Sequence, residues 1–268
     1  MRLAQRIRGT EVREGGVALF YLAQAGFALK TSRGTVAYLD PYFSDCCERC
    51  FGFRRMIPAL LTPDELAPEV VVSTHSHFDH LDIDALPLLA RNEGTHFVGS
   101  PDCAEFYAEA GLTPDRHTIL AEGESTRVAD LSVRAVYADH GDLAPDAIGV
   151  VIETEGLRVY DVGDSAYRPE RIVTSLGGPV DVMIAPINGA FGNLDAEEAC
   201  RLAEAIGPSL LIASHFWMFV EHGGDPARFL SAAEALAPRT QAVVLAPGET
   251  VVIGKAVDGT WTRETLPT

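Results

Sequence analysis

The sequence predicts one α/β domain with sheets inside and helices outside, and three observations support this prediction. Short apolar segments rich in β-branched residues recur along the chain. Helical patterns bounded by capping residues alternate with these segments. No low-complexity linker and no repeat of fixed period divides the 268 residues. We therefore expect residues 1–268 to form a single domain.

The first half of the chain reads as a meander of strands that leads into alternating helices and strands. Strands are expected at 17–22, 27–31 and 36–39, with glycines as punctuation. Residues 40–62 are predicted to be a loop. The other elements expected here are short helices at 63–66, 83–90 and 103–110, and strands at 70–73, 97–99, 118–120, 125–128, 131–137, 148–154 and 158–160.

Two helices in the second half carry clear start and stop signals. Asp195 is the expected N-cap of a helix that runs to Ile206, where a Gly-Pro pair closes it. Asp225 is the expected N-cap of a helix at 226–236. Further strands are expected at 182–185, 210–213, 243–245 and 249–253, and the last of these ends the predicted sheet.

The acidic composition favours a small-molecule substrate. There are 21 basic and 38 acidic residues, so the formal net charge is −17. Such a surface repels phosphate backbones and anionic membranes, which makes nucleic acid an unlikely partner. No apolar run approaches the roughly 18 residues of a membrane span. The first residues lack the apolar core of a secretory signal, so we expect a cytoplasmic protein.

Five cysteines without a signal peptide indicate free thiols in a reducing compartment. Cys47 and Cys50 have the C-x-x-C spacing of a metal or redox pair, and Cys46 precedes them. No second pair with zinc-site spacing accompanies them, so incidental thiols are the alternative. The role of this cluster stays open.

The segment 74–82 is the most informative part of the chain. It reads His-x-His-x-Asp-His and places His75, His77, Asp79 and His80 directly after an apolar run. Imidazole and carboxylate are the ligands that suit Zn, Fe and Mn. In an extended chain the first three would share a face and His80 would point elsewhere, which fits two adjacent metal ions. A polar loop with hydrogen-bonded histidines is the alternative reading.

Three further ligand types each follow an apolar strand. His140, Asp164 and His215 lie at the carboxyl ends of predicted strands, where α/β proteins collect their sites. A residue of this kind taken singly is more often structural than functional, but together with the cluster these three make a set of seven. We predict that one metal is held by His75, His77 and His140, a second by Asp79, His80 and His215, and that Asp164 bridges the two.

This ordered set resembles the metallo-β-lactamase superfamily over roughly residues 17–255. More narrowly, the chain resembles the branch that includes the L-ascorbate-6-phosphate lactonases. The matching segments are Gln24-Ala25-Gly26-Phe27, Leu39-Asp40-Pro41-Tyr42, Thr74–Asp82, Gly163-Asp164-Ser165-Ala166-Tyr167 and Ser214-His215-Phe216.

The resemblance implies a four-layer αβ/βα sandwich with a site for two divalent metal ions, Zn or Mn, at one edge. It implies a hydrolase in which a hydroxide shared by the metals attacks a small-molecule lactone or ester, including a sugar-phosphate lactone. Asp79 would bind metal and orient that nucleophile. The alternatives are a metal-dependent phosphodiesterase or nuclease on the same site, and a non-catalytic metal-binding protein.

Residues that contact the substrate are harder to predict. His222, Trp217 and Arg168 are the candidates, with Arg168 able to bind an anionic tail. Exposed apolar loops could line a pocket or a homo-oligomer interface. Other loop residues that could roof the site or bind an anion are Phe43, Phe51, Phe53, Phe191, Phe219, Arg54 and Arg55. Asp82 and Asp139 are candidate hydrogen-bond partners of the ligand imidazoles, with loop capping as the alternative.

Overall fold

Two β-sheets form the centre of the molecule in the computed structural model, which describes residues 2–255 and 261–266. The first sheet has the order β15-β14-β1-β2-β3-β4-β5-β6 and is antiparallel from β15 to β3 and parallel from β3 to β6. Its strands are β1 (Gly16–Tyr21), β2 (Phe27–Thr31), β3 (Val36–Leu39), β4 (Val70–Ser73), β5 (His96–Gly99), β6 (His117–Ile119), β14 (Thr250–Lys255) and β15 (Trp261–Leu266).

The second sheet has seven strands in the order β13-β12-β11-β10-β9-β8-β7. It is parallel from β13 to β10 and antiparallel from β10 to β7. Its strands are β7 (Ser125–Val128), β8 (Leu131–Tyr137), β9 (Ile148–Thr154), β10 (Leu157–Asp161), β11 (Val182–Pro186), β12 (Leu210–Ser214) and β13 (Gln241–Val243).

Strand β1 shows why the apolar runs of this sequence are continuous rather than alternating. All six of its residues are buried. Val17 and Leu19 face the core between the two sheets, whereas Ala18 and Phe20 face a second core on the outer side of the first sheet. Successive side chains of a strand point to opposite faces, so a strand covered on both faces is apolar throughout.

Helices cover the outer face of each sheet. Helix α1 packs on β2, and the buried side chains of α3 and α4 join the outer core of the first sheet. Helix α5 packs on β8, α6 on β11 and α7 on β13. The result is the expected four-layer sandwich. The helices are α1 (Leu3–Gly9), α2 (Cys46–Phe51), α3 (Leu86–Leu89), α4 (Ala104–Glu109), α5 (Pro169–Leu176), α6 (Ala196–Ile206) and α7 (Pro226–Leu236).

Both capping predictions are confirmed. The Asp195 side chain accepts hydrogen bonds from the backbone N–H groups of Glu197 and Glu198, both at 2.9 Å, and starts α6. The Asp225 side chain accepts from two backbone N–H groups at the start of α7. These bonds satisfy donors that the first helical turn leaves without partners.

The structure contains elements that the prediction did not include. Residues 40–62 are not all loop, because α2 forms there and ends at Gly52, whose φ of 79° is left-handed. Helix α5 and strand β15 were not expected, although Pro169 at the start of α5 and Gly177 after its end are ordinary boundary signals. Short elements of six to eight residues are stabilised mainly by tertiary packing, which a local pattern does not contain.

The strands of both sheets end at one edge of the sandwich. The segment 74–82 follows β4, His140 follows β8, Asp164 follows β10 and His215 follows β12. The first sheet supplies four of the seven ligand residues and the second sheet supplies three. In the described ranges, no helix has the length and hydropathy that crossing a membrane requires.

Candidate metal centre

The segment that carries the first four ligand types turns back on itself. The backbone N–H groups of His80 and Leu81 both donate to the carbonyl of His77, at 2.8 and 2.7 Å. The expectation of an extended chain, with Asp79 facing the same way as His75, is therefore wrong. The turn reverses the chain within four residues, so the side chains of Asp79 and His80 point to the same site.

Seven side chains converge into two groups whose ligand atoms lie within 4.8 Å of one another inside each group. The histidines and Asp79 fall into the same two sets that the sequence suggests, and the assignment of one ion to each set stays a prediction. Asp164 belongs to the first group, and its Oδ1 also lies 3.4 Å from His80 Nε2 and 3.3 Å from His215 Nε2. The first ligand group is His75, His77, His140 and Asp164, and the second ligand group is Asp79, His80 and His215.

Hydrogen bonds to neighbouring residues leave two ring nitrogens of the first group facing each other. His77 Nε2 donates to the carbonyl of Leu143 at 3.2 Å, so its Nδ1 carries a lone pair. His75 Nδ1 lies 3.1 Å from Thr74 Oγ1, which itself donates to Asp40, so the His75 proton is on Nδ1. His75 Nε2 and His77 Nδ1 then present lone pairs to each other at 2.9 Å.

The second group also brings ring nitrogens together. His80 Nδ1 donates to Asp40 Oδ2 at 2.7 Å, and its Nε2 lies 3.2 Å from His215 Nε2. Asp164 Oδ1 is buried and has no hydrogen-bond partner among the described residues. Lone pairs that face each other next to a bare carboxylate oxygen are favourable only with cations between them. The residues therefore fit divalent metal ions such as Zn or Mn.

Asp40 is the main support of this centre. Its carboxylate accepts from the backbone N–H and the hydroxyl of Thr74, both at 2.7 Å, and from His80. The side chain is fully buried, and its φ of 41° is unusual for a residue other than glycine. A carboxylate behind a ligand imidazole fixes the ring and its tautomer.

Backbone strain is concentrated at this edge. Gln24 and His215 have φ of 54° and 57°, in the left-handed region. At Gly163, with φ of 63°, a Cβ would lie 2.9 Å from the carbonyl oxygen of Ile148. Only glycine therefore allows the chain to turn after β10 and deliver Asp164.

Gln24 contacts the second group from the side of the first sheet. Its Nε2 lies 2.7 Å from Asp79 Oδ2, 3.1 Å from His215 Nε2 and 2.9 Å from His222 Nδ1. The resemblance covers Gln24, but the residue pattern alone gave no reason to assign it a role. Glutamine is not a usual metal ligand, and only the fold places it behind Asp79.

Burial and the carboxylates act in opposite directions on the ligand histidines. Burial lowers the pKa of His80, but the charges of Asp164 and Asp40 outweigh it and raise that pKa well above its ordinary value. Burial, reinforced by the charge of His80, holds the pKa of His75 well below its ordinary value. Burial lowers the pKa of His222 to about 4, with His215 adding to the shift.

A cavity of about 260 Å³ opens above the two groups. Its polar lining consists of ligand residues, Cys47 and His222, and the rest of its wall is apolar. No lysine or arginine lines it among the residues that the structure describes. The apolar wall consists of Phe51, Phe53, Phe78, Leu143 and Phe191.

The structure separates the predicted substrate contacts. His222 lines the cavity, but Trp217 and Arg168 do not. Trp217 Nε1 donates to the carbonyl of Gly224 at 3.0 Å, and Arg168 pairs with Asp139 at 2.8 Å. Local partners hold both side chains outside the cavity wall, so their contact with a substrate stays a prediction.

The remaining loop candidates divide in a similar way. Phe51, Phe53 and Phe191 line the cavity as expected, whereas Phe43 and Phe219 are buried in the cores. Arg54 lies 3.9 Å from Glu48, and Arg55 lies over the Tyr42 ring, so neither reaches the cavity.

Asp82 and Asp139 are loop-capping residues. Asp82 accepts from the backbone N–H groups of Phe43 and Ser44, at 2.8 and 2.7 Å. Asp139 accepts from the N–H of Gly141 at 3.2 Å and pairs with Arg168. In the part of the chain that the structure describes, neither contacts a ligand imidazole, so their expected role belongs to Asp40 instead.

The cysteine cluster lies on α2 rather than in a loop. Cys46 and Cys47 are buried, Cys50 is exposed, and all five cysteines are free thiols. Across residues 2–255 and 261–266, no group with metal-binding geometry includes a cysteine. Cys47 nevertheless lines the cavity.

Comparisons with known proteins agree with this geometry. A family model described as a Beta-lactamase superfamily domain matches residues 35–216. A UPF0173 metal-dependent hydrolase of Aeropyrum pernix is 30% identical over 246 residues, which cover 86% of this chain and 95% of the relative. A similarly named protein of Methanopyrus kandleri is 27% identical and covers 85% of this chain and 96% of its own. The chain therefore belongs to the metallo-β-lactamase superfamily, as a metal-dependent hydrolase.

Solved structures show the same fold at lower identity. Igni18, a metallo hydrolase from Ignicoccus hospitalis, superimposes with a TM-score of 0.70 at 23% identity and covers 88% of this chain and 98% of its own. An isothiocyanate hydrolase from Delia radicum gut bacteria has a TM-score of 0.70 at 19% identity and covers 87% and 98%. The narrower resemblance to the ascorbate-phosphate lactonases stays a prediction.

Proposed function

We propose that this protein hydrolyses small, uncharged esters or lactones that carry an apolar substituent, and that it uses two divalent ions, Zn or Mn. The observation that carries this proposal is the cavity above the ligand groups, which is apolar except for its floor. Its volume of about 260 Å³ lies just below the roughly 300–1,000 Å³ of pockets for drug-sized ligands. We therefore expect a small substrate.

The side chains divide the work between them. The first ligand group would hold one ion and the second ligand group the other, with Asp164 positioned toward both. When bound, such ions acidify water and polarise the electrophilic oxygen of the substrate. The apolar wall excludes bulk water, which strengthens these interactions.

Asp79 is the proposed catalytic carboxylate. It lines the cavity, and its Oδ2 accepts a hydrogen bond from Gln24, which fixes the carboxylate plane. Burial raises the pKa of Asp79, but the charges of His80 and His215 outweigh it and hold that pKa well below its ordinary value. An ionised Asp79 can accept a hydrogen bond from the attacking water and orient it.

An anionic substrate fits this cavity less well. A phosphodiester or a sugar-phosphate lactone carries a charge that needs a basic partner when it is buried. The described lining has no lysine or arginine, and Arg168 is held outside it by Asp139. We therefore expect a substrate with an apolar tail rather than a sugar-phosphate lactone.

An isothiocyanate is the second candidate substrate. It combines an electrophilic carbon with an apolar substituent, which the wall of phenylalanines would accept. A structural neighbour of this chain is named an isothiocyanate hydrolase, although at 19% identity the likeness shows the fold alone. The panel below includes this class for that reason.

We also propose that the protein is cytoplasmic. All five cysteines are free, which supports a cytoplasmic protein because reducing conditions keep thiols from pairing.

The test is a substrate panel on protein loaded with Mn or Zn. It compares δ-decalactone, 6-phosphogluconolactone, bis(4-nitrophenyl) phosphate and benzyl isothiocyanate, each with and without EDTA. We expect EDTA-sensitive opening of δ-decalactone, with kcat/KM well above that for the phosphorylated lactone. Preferred cleavage of the phosphodiester or of the phosphorylated lactone would contradict the proposal, and turnover of benzyl isothiocyanate alone would favour the second candidate.

A further inference from the structure

His222 lies beside the second ligand group without belonging to it. Its side chain is buried and lines the cavity, and its ring stacks on that of His215 with centroids 4.8 Å apart and planes 8° apart. Its Nδ1 lies 2.9 Å from Gln24 Nε2. Within the described residues, no hydrogen bond occupies its Nε2.

The neighbours of Gln24 determine which way its amide points. Asp79 Oδ2 lies 2.7 Å from the amide nitrogen. An ionised carboxylate only accepts hydrogen bonds, so the NH₂ group and not the amide oxygen faces it. The second hydrogen of the same nitrogen has two possible acceptors, His222 Nδ1 at 2.9 Å and His215 Nε2 at 3.1 Å. An ion held by the second ligand group would occupy the lone pair of His215 Nε2, so the hydrogen goes to the nearer His222 Nδ1, which must be unprotonated to accept it. A neutral His222 therefore carries its proton on Nε2.

Both partners are held firmly. The backbone carbonyl of Gln24 accepts from the N–H of His215 at 2.8 Å and from the hydroxyl of Tyr21 at 3.1 Å. The His222 ring makes edge contacts with Phe53 and Phe219, at centroid distances of 5.7 and 4.9 Å. Rigidly held donors stabilise developing charge without reorganising during the reaction.

We propose that His222 donates a hydrogen bond from Nε2 to the reacting oxygen of the substrate in the cavity, and that Gln24 is the positioning residue that selects this tautomer. The inference rests on the proposed function for the identity of that oxygen. His222 acts here as a neutral hydrogen-bond donor, and no proton is transferred.

The tautomer is measured directly by ¹⁵N NMR of histidine-labelled, zinc-loaded protein, with the His222 signals assigned by their loss in His222→Phe. We expect a protonated Nε2 and an unprotonated Nδ1. In Gln24→Met, which removes the amide at nearly constant size, we expect the two tautomers to mix. A proton on Nδ1 in the wild type would overturn the proposal whatever the substrate is.

Two amide variants separate donation to the substrate from a structural role. The amide of His222→Gln reaches the position of Nε2, whereas that of His222→Asn reaches only the position of Nδ1. With 4-nitrophenyl hexanoate we expect kcat to fall about 100-fold in His222→Asn, the loss typical of removing an oxyanion donor, with KM little changed. His222→Gln should recover most of this loss. A higher kcat in His222→Asn than in His222→Gln would contradict the proposal.

Hexanoate, the acid product of that ester, tests the hydrogen bond from His222 even if the protein hydrolyses no ester. On titrating wild-type protein, we expect the Nε2–H proton of His222 to shift downfield as the carboxylate accepts its hydrogen bond. An unchanged Nε2–H signal at saturating hexanoate would overturn the inference. If the wild type hydrolyses no substrate of the panel, the proposed function fails while the tautomer and this shift still decide the role of His222.

Discussion

The floor and the mouth of the site are held in different ways. The floor consists of the two ligand groups with Gln24 and Asp40, and side-chain hydrogen bonds of 2.7 Å join Gln24 to Asp79 and His80 to Asp40. The mouth is exposed by half or more at its outermost side chains, Phe51 at 57% and Leu143 at 56%, and ring packing holds it. We infer that the floor sets the chemistry and the mouth sets the substrate. The mouth consists of Phe51, Phe53, Leu143 and Phe191.

Asp164→Asn should have the largest effect, because Asp164 belongs to the first ligand group and also lies within 3.4 Å of two histidines of the second. We expect metal content to fall and hydrolysis to drop by more than the roughly 10–100-fold typical of losing a residue behind the ligands. Elemental analysis after dialysis and the δ-decalactone assay measure both quantities. Full metal content with normal turnover would show that the floor does not depend on this residue.

Asp40→Asn should weaken metal binding about 10–100-fold, because an amide cannot replace the carboxylate that orients His80. Asp82→Asn is the matched control, since Asp82 is also buried and accepts from the backbone N–H groups of Phe43 and Ser44 rather than from His80. Metal titration monitored by calorimetry compares the two. Equal losses of affinity in both variants would mean that Asp40 acts through general stability rather than through His80.

Phe191→Ala tests the mouth and should raise KM for 4-nitrophenyl hexanoate about 10-fold while leaving kcat and metal content nearly unchanged. Val220→Ala is the control, because Val220 is 75% exposed and does not line the cavity. Lengthening the acyl chain should raise kcat/KM about fourfold per CH₂ in the wild type, until the cavity is filled. No dependence on chain length would remove the mouth from the account of specificity.

Asp161 lies beneath the floor, and its effect should appear in stability rather than in rate. Burial, reinforced by the charge of Asp40, raises the pKa of Asp161 to about 8 from an ordinary 3.8. The unfolded chain releases this proton first, so the folded protein loses stability as pH rises from about 4 to about 8.

Asp161→Asn removes that titration. In metal-free protein we expect its Tm to exceed that of the wild type by an amount that grows across this pH window and then levels off. Thermal unfolding at pH 5, 7 and 8.5 measures the difference. A constant difference would show that Asp161 is ionised throughout.

The sequence predicted the floor better than the mouth, for a physical reason. Each ligand follows a buried strand, and strand ends of one sandwich meet at one edge, so His140, Asp164 and His215 could be predicted from their positions together with the His-x-His-x-Asp-His cluster. The hydrogen bonds by which Gln24 and Asp40 orient the ligands could not be predicted from the sequence. They depend on left-handed backbone and on packing between segments far apart in the chain.

The mouth depends on contacts that no local pattern contains. Phe51 is placed by α2, a helix of six residues that the residue pattern did not predict. Phe191 reaches the cavity by packing on Phe53, almost 140 residues away in the chain. The residue pattern makes Arg168 a candidate for binding an anionic tail, but its pairing with Asp139 is visible only in the structure.

The most direct test of this account is the number of metal ions per chain. Wild-type protein, His77→Ala and His80→Ala are dialysed against Mn or Zn and their metal content is measured by mass spectrometry. We predict two ions per chain for the wild type and a loss in each variant, because His77 and His80 belong to different ligand groups. One ion per chain in the wild type, abolished by either substitution, would contradict the two-ion site.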